Sequence, residues 1–293
     1  MRLLLFGGWG QLGSDLAAAA AGRHELIRPR RADTDVSDAA AVQRTVEQTR
    51  ADVVIDAAAF HLVEACEDQP DAAFRVNAVG AWNVARAASG TGARCLFVST
   101  DYVFDGEDAE GYAEDAPVSP VNVYGVSKAA GERLVRLADH RGIVVRGSSL
   151  FGHAGSSGKG GNFVETMLAR AAAGEPISVV DDVVMSPTCS RDMAERILAL
   201  LDAQAPPGIY HAANAGSCSW YQFARAAFEL SGQQASLSPR ASQDGTVRRP
   251  RCSVLLDTKS RALGLPPARP WREALDWYLA TRPAHVPAPA GGS

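Results

Sequence analysis

The chain has 293 residues, 46% of them hydrophobic, enough to bury a large core as one big domain or two smaller ones. A formal net charge of −4 carries no overall basic excess to suggest nucleic acid, and the uninterrupted apolar runs are far too short to span a bilayer. The five cysteines are scattered without a C-x-x-C pair and the six histidines are dispersed. Reduced thiols in a cytoplasmic protein are therefore expected, and no metal cluster emerges.

Residues 1–6 are apolar but run at once into glycine, so they read as a strand and not as a signal peptide. Gly7-Gly8-Trp9-Gly10-Gln11-Leu12-Gly13 follows, and helix formers continue through residues 15–19. Gly7, Gly10 and Gly13 make a G-x-x-G-x-x-G variant of the dinucleotide motif, set between a strand and a helix. Such glycines allow a tight turn, close approach of backbone to a pyrophosphate and close packing of helix on strand. The free N–H groups at the helix start then face the phosphates. Gly7, Trp9, Gly10, Gln11 and Leu12 are the expected cofactor contacts here; a plain βα turn is the simpler alternative.

A second strand near residues 24–28 ends in Arg28-Pro29-Arg30-Arg31, where a dinucleotide site touches the adenosine ribose. Arginine there suits a 2′-phosphate, so NADP is preferred, although Asp33 and Asp35 leave NAD open. Arg30, Asp35 and Val36 are assigned to the cofactor. A helix over residues 38–49 and a third strand over 52–56 come next, ending in Ala57-Ala58-Ala59. Small residues at a strand end let a cofactor lie against the backbone. A helix is expected over residues 70–88, carrying Asn77 near the site.

The run 95–98 reads as a buried parallel strand, which puts Ser99 and Thr100 at its carboxyl end, where open α/β sheets bind ligands. Pro120 precedes a helical segment in which Tyr124 and Lys128 are i and i+4 and share one face. An ammonium beside the phenol favours the phenolate, so Lys128 is expected to lower the pKa of Tyr124 and make it a usable acid or base. With a further strand over residues 142–146, β and α alternate throughout residues 1–147. The expected fold is α/β, a Rossmann doubly wound parallel sheet over 1–147. A smaller, mainly substrate-binding α/β domain is expected over 148–282, with segments that interleave with the first. Residues 155–161 are a glycine-rich lid or a simple linker. Arg248, Arg249 and Arg251 form either a diphosphate clamp or a solvated surface. Residues 283–293 read as a disordered tail.

Taken together, these residues resemble the dTDP-4-dehydrorhamnose reductase family of the extended short-chain dehydrogenase/reductases. The marks are residues 5–13, Asp56-Ala57-Ala58-Ala59, the run from Ser99 through Asp101, Val103 and Asp105 to Gly106, and Tyr124-Gly125-x-Ser127-Lys128-x-x-Gly131-Glu132. Further marks are Asn162-Phe163-Val164, Ser186-Pro187-Thr188 and Arg249-Pro250-x-x-Ser253. The resemblance implies hydride transfer from NADPH or NADH to the C4 ketone of a dTDP-linked 4-keto-6-deoxy sugar, giving dTDP-L-rhamnose. Tyr124 would protonate the nascent alkoxide and Lys128 would hold the nicotinamide ribose. Thr100 would bond the reacting oxygen, with Ser99 against the cofactor. Asp101, His61, Val103, Ser149, Asn162, Phe163 and Arg249 are the implied substrate contacts. Two of these depart from the family pattern: Ser149 stands where a tryptophan is frequent, and His61 where a threonine is common. Magnesium, used by some members, stays open; Asp15 falls at one such place, but no metal ligand is assigned. A homodimer is left open too. A sugar-nucleotide 4-epimerase or dehydratase is one alternative. A non-catalytic NADP-binding regulatory subunit, like the β subunit of methionine adenosyltransferase, is another.

Overall fold

The computed structural model describes residues 1–154, 161–243, 245 and 247–282. The expected lid at 155–161 lies almost wholly outside the described residues, as does the tail from 283. Six parallel strands form the central sheet. Five are β1 (Arg2–Phe6), β2 (Glu25–Ile27), β3 (Val53–Asp56), β4 (Arg94–Thr100) and β5 (Ile143–Gly147). The sixth, Gly208–His211, adds to β5 at one edge, and the order across the sheet runs from that strand through β5, β4, β3 and β1 to β2.

Strand alternation sorts the core into two layers. Leu3 and Leu5 of β1 face the helices Gln11–Ala20 and Ser190–Asp202, with Leu16, Met193 and Ile197 packed against them. Leu4 and Phe6 face the other way, towards helices Ala39–Thr49, Ala81–Thr91 and Val123–Ala138. Both faces are covered, which explains why the strands read as continuous apolar runs.

The chain reverses direction across the sheet between β1 and β3, since β2 lies on one side of β1 and β3 on the other. The carboxyl ends of β1 and β3 therefore flank the crevice where such sheets bind ligands. A smaller core sits beyond it, built from Phe151, Val164, Ile177, Phe223, Leu275 and Tyr278. Its strand Ile177–Val180 pairs in parallel with Leu237–Arg240. The helix expected over 70–88 is broken into Pro70–Phe74, a wide π-helical turn Arg75–Gly80, and Ala81–Thr91. That turn carries Asn77, whose side chain is fully spent on tertiary bonds. Among the described residues, no helix is long and apolar enough to cross a membrane.

Candidate active site

Gly7 is the pivot of the first loop. Its φ of +75° lies in the left-handed region, and a Cβ there would stand 2.5 Å from the backbone of Ala57. Gly13 is equally constrained, since its Cβ would meet the Gly7 carbonyl oxygen at 2.3 Å. Gly10 differs: its Cβ would touch only Gly7 O, at 3.5 Å, so what its missing side chain spares is the approach from outside. Gly10 also begins the helix Gln11–Ala20 without any side-chain cap, leaving its first N–H groups to an anion. With the amide of Gln11 oriented to satisfy its neighbours, its oxygen accepts from Phe151 and Gly152 N–H at 3.2 and 2.9 Å. These features fit a dinucleotide pyrophosphate.

Trp9 is half-exposed, with the guanidinium carbons of Arg28 and Arg30 at 4.1 and 4.3 Å from its ring centroid. Arg28 also donates to Gly8 O at 3.1 Å. Arg31 turns away and pairs with Asp35 at 3.1 Å. Asp35 accepts from the Ser37 N–H and hydroxyl, and the two residues hold its carboxyl below the ordinary value against the opposing effect of burial. Its charge is thus absorbed within the loop, and Arg28 and Arg30 remain beside the tryptophan as a cationic pair. Val36 is buried under helix Ala81–Thr91, with its carbonyl accepting from Asn83.

The second half of the site forms at the end of β4. Thr100 donates to Asp101 at 2.9 Å and is hydrogen-bonded to Tyr124. Asn122 caps the helix Val123–Ala138 through the Gly125 N–H, and Gly125 is obligatory because a Cβ there would stand 2.1 Å from Tyr102 O. The helix thereby starts against β4 with Tyr124 and Lys128 on its inner face. Lys128 is 2% exposed; its Nζ donates to Val98 O at 2.7 Å and lies 3.9 Å from the Phe97 ring centroid. Burial pushes this ammonium down to about 8, with Asp56 and Glu132 opposing the shift.

One expectation is corrected here. The Tyr124 phenol is not made acidic by its lysine: burial raises it well above the ordinary value, and the bond to Thr100 only moderates this. The ammonium is directed to Val98 O and set against Phe97, and Tyr124 is a firmly protonated donor.

Asn77 braces this arrangement. Its amide oxygen accepts from Phe60 N–H at 2.8 Å, and its nitrogen donates to Phe60 O and to Ser127 Oγ, both at 2.9 Å. Gly131 packs so tightly on the π-helical turn that a Cβ would meet Asn77 O at 2.3 Å. The loop carrying Ala57, Ala58, Ala59 and the half-buried His61 is thus tied to the helix that carries Tyr124.

The expected substrate residues divide by what their side chains already do. Asp101 is buried and accepts from Thr100 and from Ser148 at 2.8 Å. Ser149 follows in left-handed backbone, φ +45°, a conformation that a serine holds only at a cost. Arg249 reaches Tyr102 and Glu64. Val103 is packed with Phe104, Tyr112 and Leu255, so its side chain belongs to the core. Asn162 caps helix Phe163–Ala172 and donates to Gly152 O and Tyr278, while Phe163 packs on Trp220 and Phe223. Ser99 is buried, and its hydroxyl has no partner among the described residues. Asp15 bonds Ser190, and no group of three or more His, Cys, Asp or Glu side chains among the described residues could hold a metal ion.

Arg28 was read with Arg30 and Arg31 as one arginine stretch but not assigned to the cofactor by itself, and Ser148 was missed. The two-residue spacing of Arg28 from Arg30 was a usable signal. Nothing local separated Ser148 from Ser149.

Fold and site together define a dinucleotide-binding α/β protein whose glycine loop faces a Thr-Tyr-Lys constellation at the carboxyl edge of a parallel sheet. The family model described as RmlD substrate binding domain matches residues 1–282. The chain belongs to this family, that of the dTDP-4-dehydrorhamnose reductases. It is 39% identical over 285 residues to the spore coat polysaccharide biosynthesis protein SpsK of Bacillus subtilis, covering 96% of this chain and 98% of that one. It is 39% identical to the dTDP-4-dehydrorhamnose reductase of Mycolicibacterium smegmatis, over 95% of this chain and 85% of the relative. The crystal structure of dTDP-4-dehydrorhamnose reductase from Bacillus anthracis in complex with NADP superposes with a TM-score of 0.90 at 33% identity, covering 95% of this chain and 98% of that one.

Proposed function

We propose that the protein is an NADPH-dependent reductase acting on the C4 ketone of a dTDP-linked 4-keto-6-deoxy sugar, with dTDP-L-rhamnose as product. The observation that carries this reading is the meeting of Thr100, Tyr124 and Lys128 at the end of β4, across the crevice from the uncapped Gly10 helix start. NADPH supplies the hydride when bound. Gly7, Gly10 and Gly13 admit its pyrophosphate, Trp9 with Arg28 and Arg30 receives the adenosine phosphate, and Ala57 and Ala58 floor the site.

The chain's own chemistry is proton donation. Hydride arrival at C4 turns the ketone into an alkoxide, whose basicity exceeds that of any tyrosinate. A Tyr124 kept protonated by burial then gives its proton downhill, and Thr100 fixes the oxygen at the donor. Lys128 steadies the tyrosinate that forms, as a buried charge acts more strongly than an exposed one. Ser149, His61, Asp101 and Arg249 are the residues assigned to the sugar nucleotide, and a water-soluble substrate and reductant support a cytoplasmic reaction.

The test mixes purified protein with enzymatically generated dTDP-4-keto-L-rhamnose and follows NADPH absorbance. Steady oxidation with dTDP-L-rhamnose as product is expected. Tyr124→Phe should lower kcat by roughly 10²–10⁴-fold while NADPH affinity is nearly kept. Bound NADPH without turnover in the parent chain would overturn the assignment of this sugar.

A further inference from the structure

Two carboxylates act on the buried Lys128 ammonium, Asp56 from β3 and Glu132 from one turn further along its own helix. They are not equivalent. Glu132 is held bidentate by Arg146, at 2.8 and 2.7 Å, so its charge is already compensated. Asp56 is 1% exposed, and among the described residues its Oδ1 accepts only the Ala58 N–H, at 3.1 Å. Its Oδ2 is buried and has no hydrogen-bond partner among the described residues. A buried carboxylate oxygen left in that state is costly unless a nearby cation balances it.

Strand geometry brings the two groups to one place. Asp56 has the parity of Val54, and its register partner on β4 is Phe97. Both Val54 and Phe97 face the side of the sheet covered by helix Val123–Ala138. Phe97 is the ring over which the Lys128 Nζ stands. Asp56 and Lys128 therefore stand on the same face of the sheet, both beside Phe97.

We propose that Asp56 is the counter-ion of Lys128, a positioning residue that keeps the ammonium charged at the floor of the site. This rests on the reductase reading for its purpose, since a neutral lysine would neither hold a nicotinamide ribose hydroxyl as a strong donor nor steady a tyrosinate. The other titratable or charged groups around the pair are Cys95 from β4, Arg146 from β5, and Glu132 and Tyr124 from the helix. Cys95 stays neutral because burial lifts its thiol well above the ordinary value, and Arg146 and Glu132 cancel each other. Burial lifts the Asp56 carboxyl only to about 6, so around neutrality both partners carry charge.

The chain has three lysines, Lys128, Lys159 and Lys259, so the titration of labelled lysine side chains in the full-length protein assigns cleanly. In Asp56→Asn, which keeps the Ala58 acceptor and removes the charge, the Lys128 midpoint should fall by about one pH unit or more while Lys159 and Lys259 stay put. Its kcat should drop about 5-fold or more at pH 8 and return towards the parent value at pH 6.5, where the lysine is recharged. An unmoved Lys128 midpoint overturns the proposal, and so does a kcat loss of equal size at both pH values. Should Asp56→Asn fold poorly, Lys128→Met gives the reciprocal reading by carboxyl titration. The Asp56 midpoint should then rise above about 6, and no change there refutes the coupling. The titrations need no substrate, so they judge Asp56 even if the assigned sugar is wrong.

Discussion

The cofactor loop shows how far single residues carry the argument. Arg30 was singled out because arginine after the second strand suits a 2′-phosphate, and it does stand against Trp9. The neighbouring Arg31 does not, because alternate positions of an extended segment face opposite ways and Asp35 claims it. Arg28, two positions earlier, takes its place. Removing both Arg28 and Arg30 as alanines should weaken NADPH by about 10-fold or more and leave NADH nearly unchanged, since only the former carries the phosphate that a guanidinium fork grips. Equal losses, read by fluorescence titration, would show that the pair serves the loop and not the phosphate. Gly7→Ala should be worse for both cofactors, because it adds left-handed strain of about 1–2 kcal/mol and drives a Cβ into Ala57. The glycines were legible because turn chemistry is local. The orientation of each arginine was not, because it depends on which carboxylate lies across the loop.

At the scale of elements, the join between helix Val123–Ala138 and β5 decides whether the site holds its shape. Glu132 and Arg146 form a bidentate ion pair with both side chains almost fully buried, and Arg146 also stands over Phe104 with its guanidinium carbon 4.9 Å from the ring centroid. One Arg146 nitrogen, Nη1, is left without a partner among the described residues. Such a pair gains little over an apolar contact of the same volume, yet breaking it strands a buried charge. Glu132→Ala should therefore cost about 3–5 kcal/mol in urea unfolding. Glu132→Leu combined with Arg146→Met should recover most of that loss. A double variant as unstable as the single one would mean that the pair itself, not the stranded charge, sets the stability. The glutamate was visible as part of the Tyr124–Glu132 motif, and β5 as an apolar run. Their pairing was not, because strand alternation and helix face must be combined across 14 residues of separation. The π-helical turn was hidden for a related reason. Its widening is set by Asn77 reaching Phe60 and Ser127, which are tertiary partners that periodicity does not register.

For the whole molecule, the alternation of strands and helices up to residue 147 predicted the parallel sheet, because each βα unit encodes its own period. The edge strand Gly208–His211 falls within residues 148–282, where interleaving segments were expected, and its return to the first sheet depends on pairing with β5 more than 60 positions away. That return buries His211 beside Arg146, in register and on the face that also holds Asp56, and the combination governs acid stability. Burial, reinforced by Arg146, holds His211 down to about 4 from an ordinary 6.5. Between those values the unfolded chain takes up a proton that the folded chain refuses, so stability falls as pH drops from 6.5 towards 4. Asp56 works the other way. Burial lifts it to about 6 from 3.8, so the folded chain binds its proton first and stability rises as pH drops from 6 towards 3.8. Over pH 6.5 to 4.5 each contribution amounts to about 2 kcal/mol, with opposite sign, and the two nearly cancel. Asp56→Asn should consequently lose about 2 kcal/mol more than the parent chain over that interval, and His211→Asn should lose about 2 kcal/mol less. Urea unfolding of the three proteins at pH 6.5, 5.5 and 4.5 measures both differences. Parallel pH dependences in all three would show that neither buried group titrates with folding, whereas opposite deviations would trace the acid tolerance of the fold to a histidine and an aspartate set on one face of one sheet.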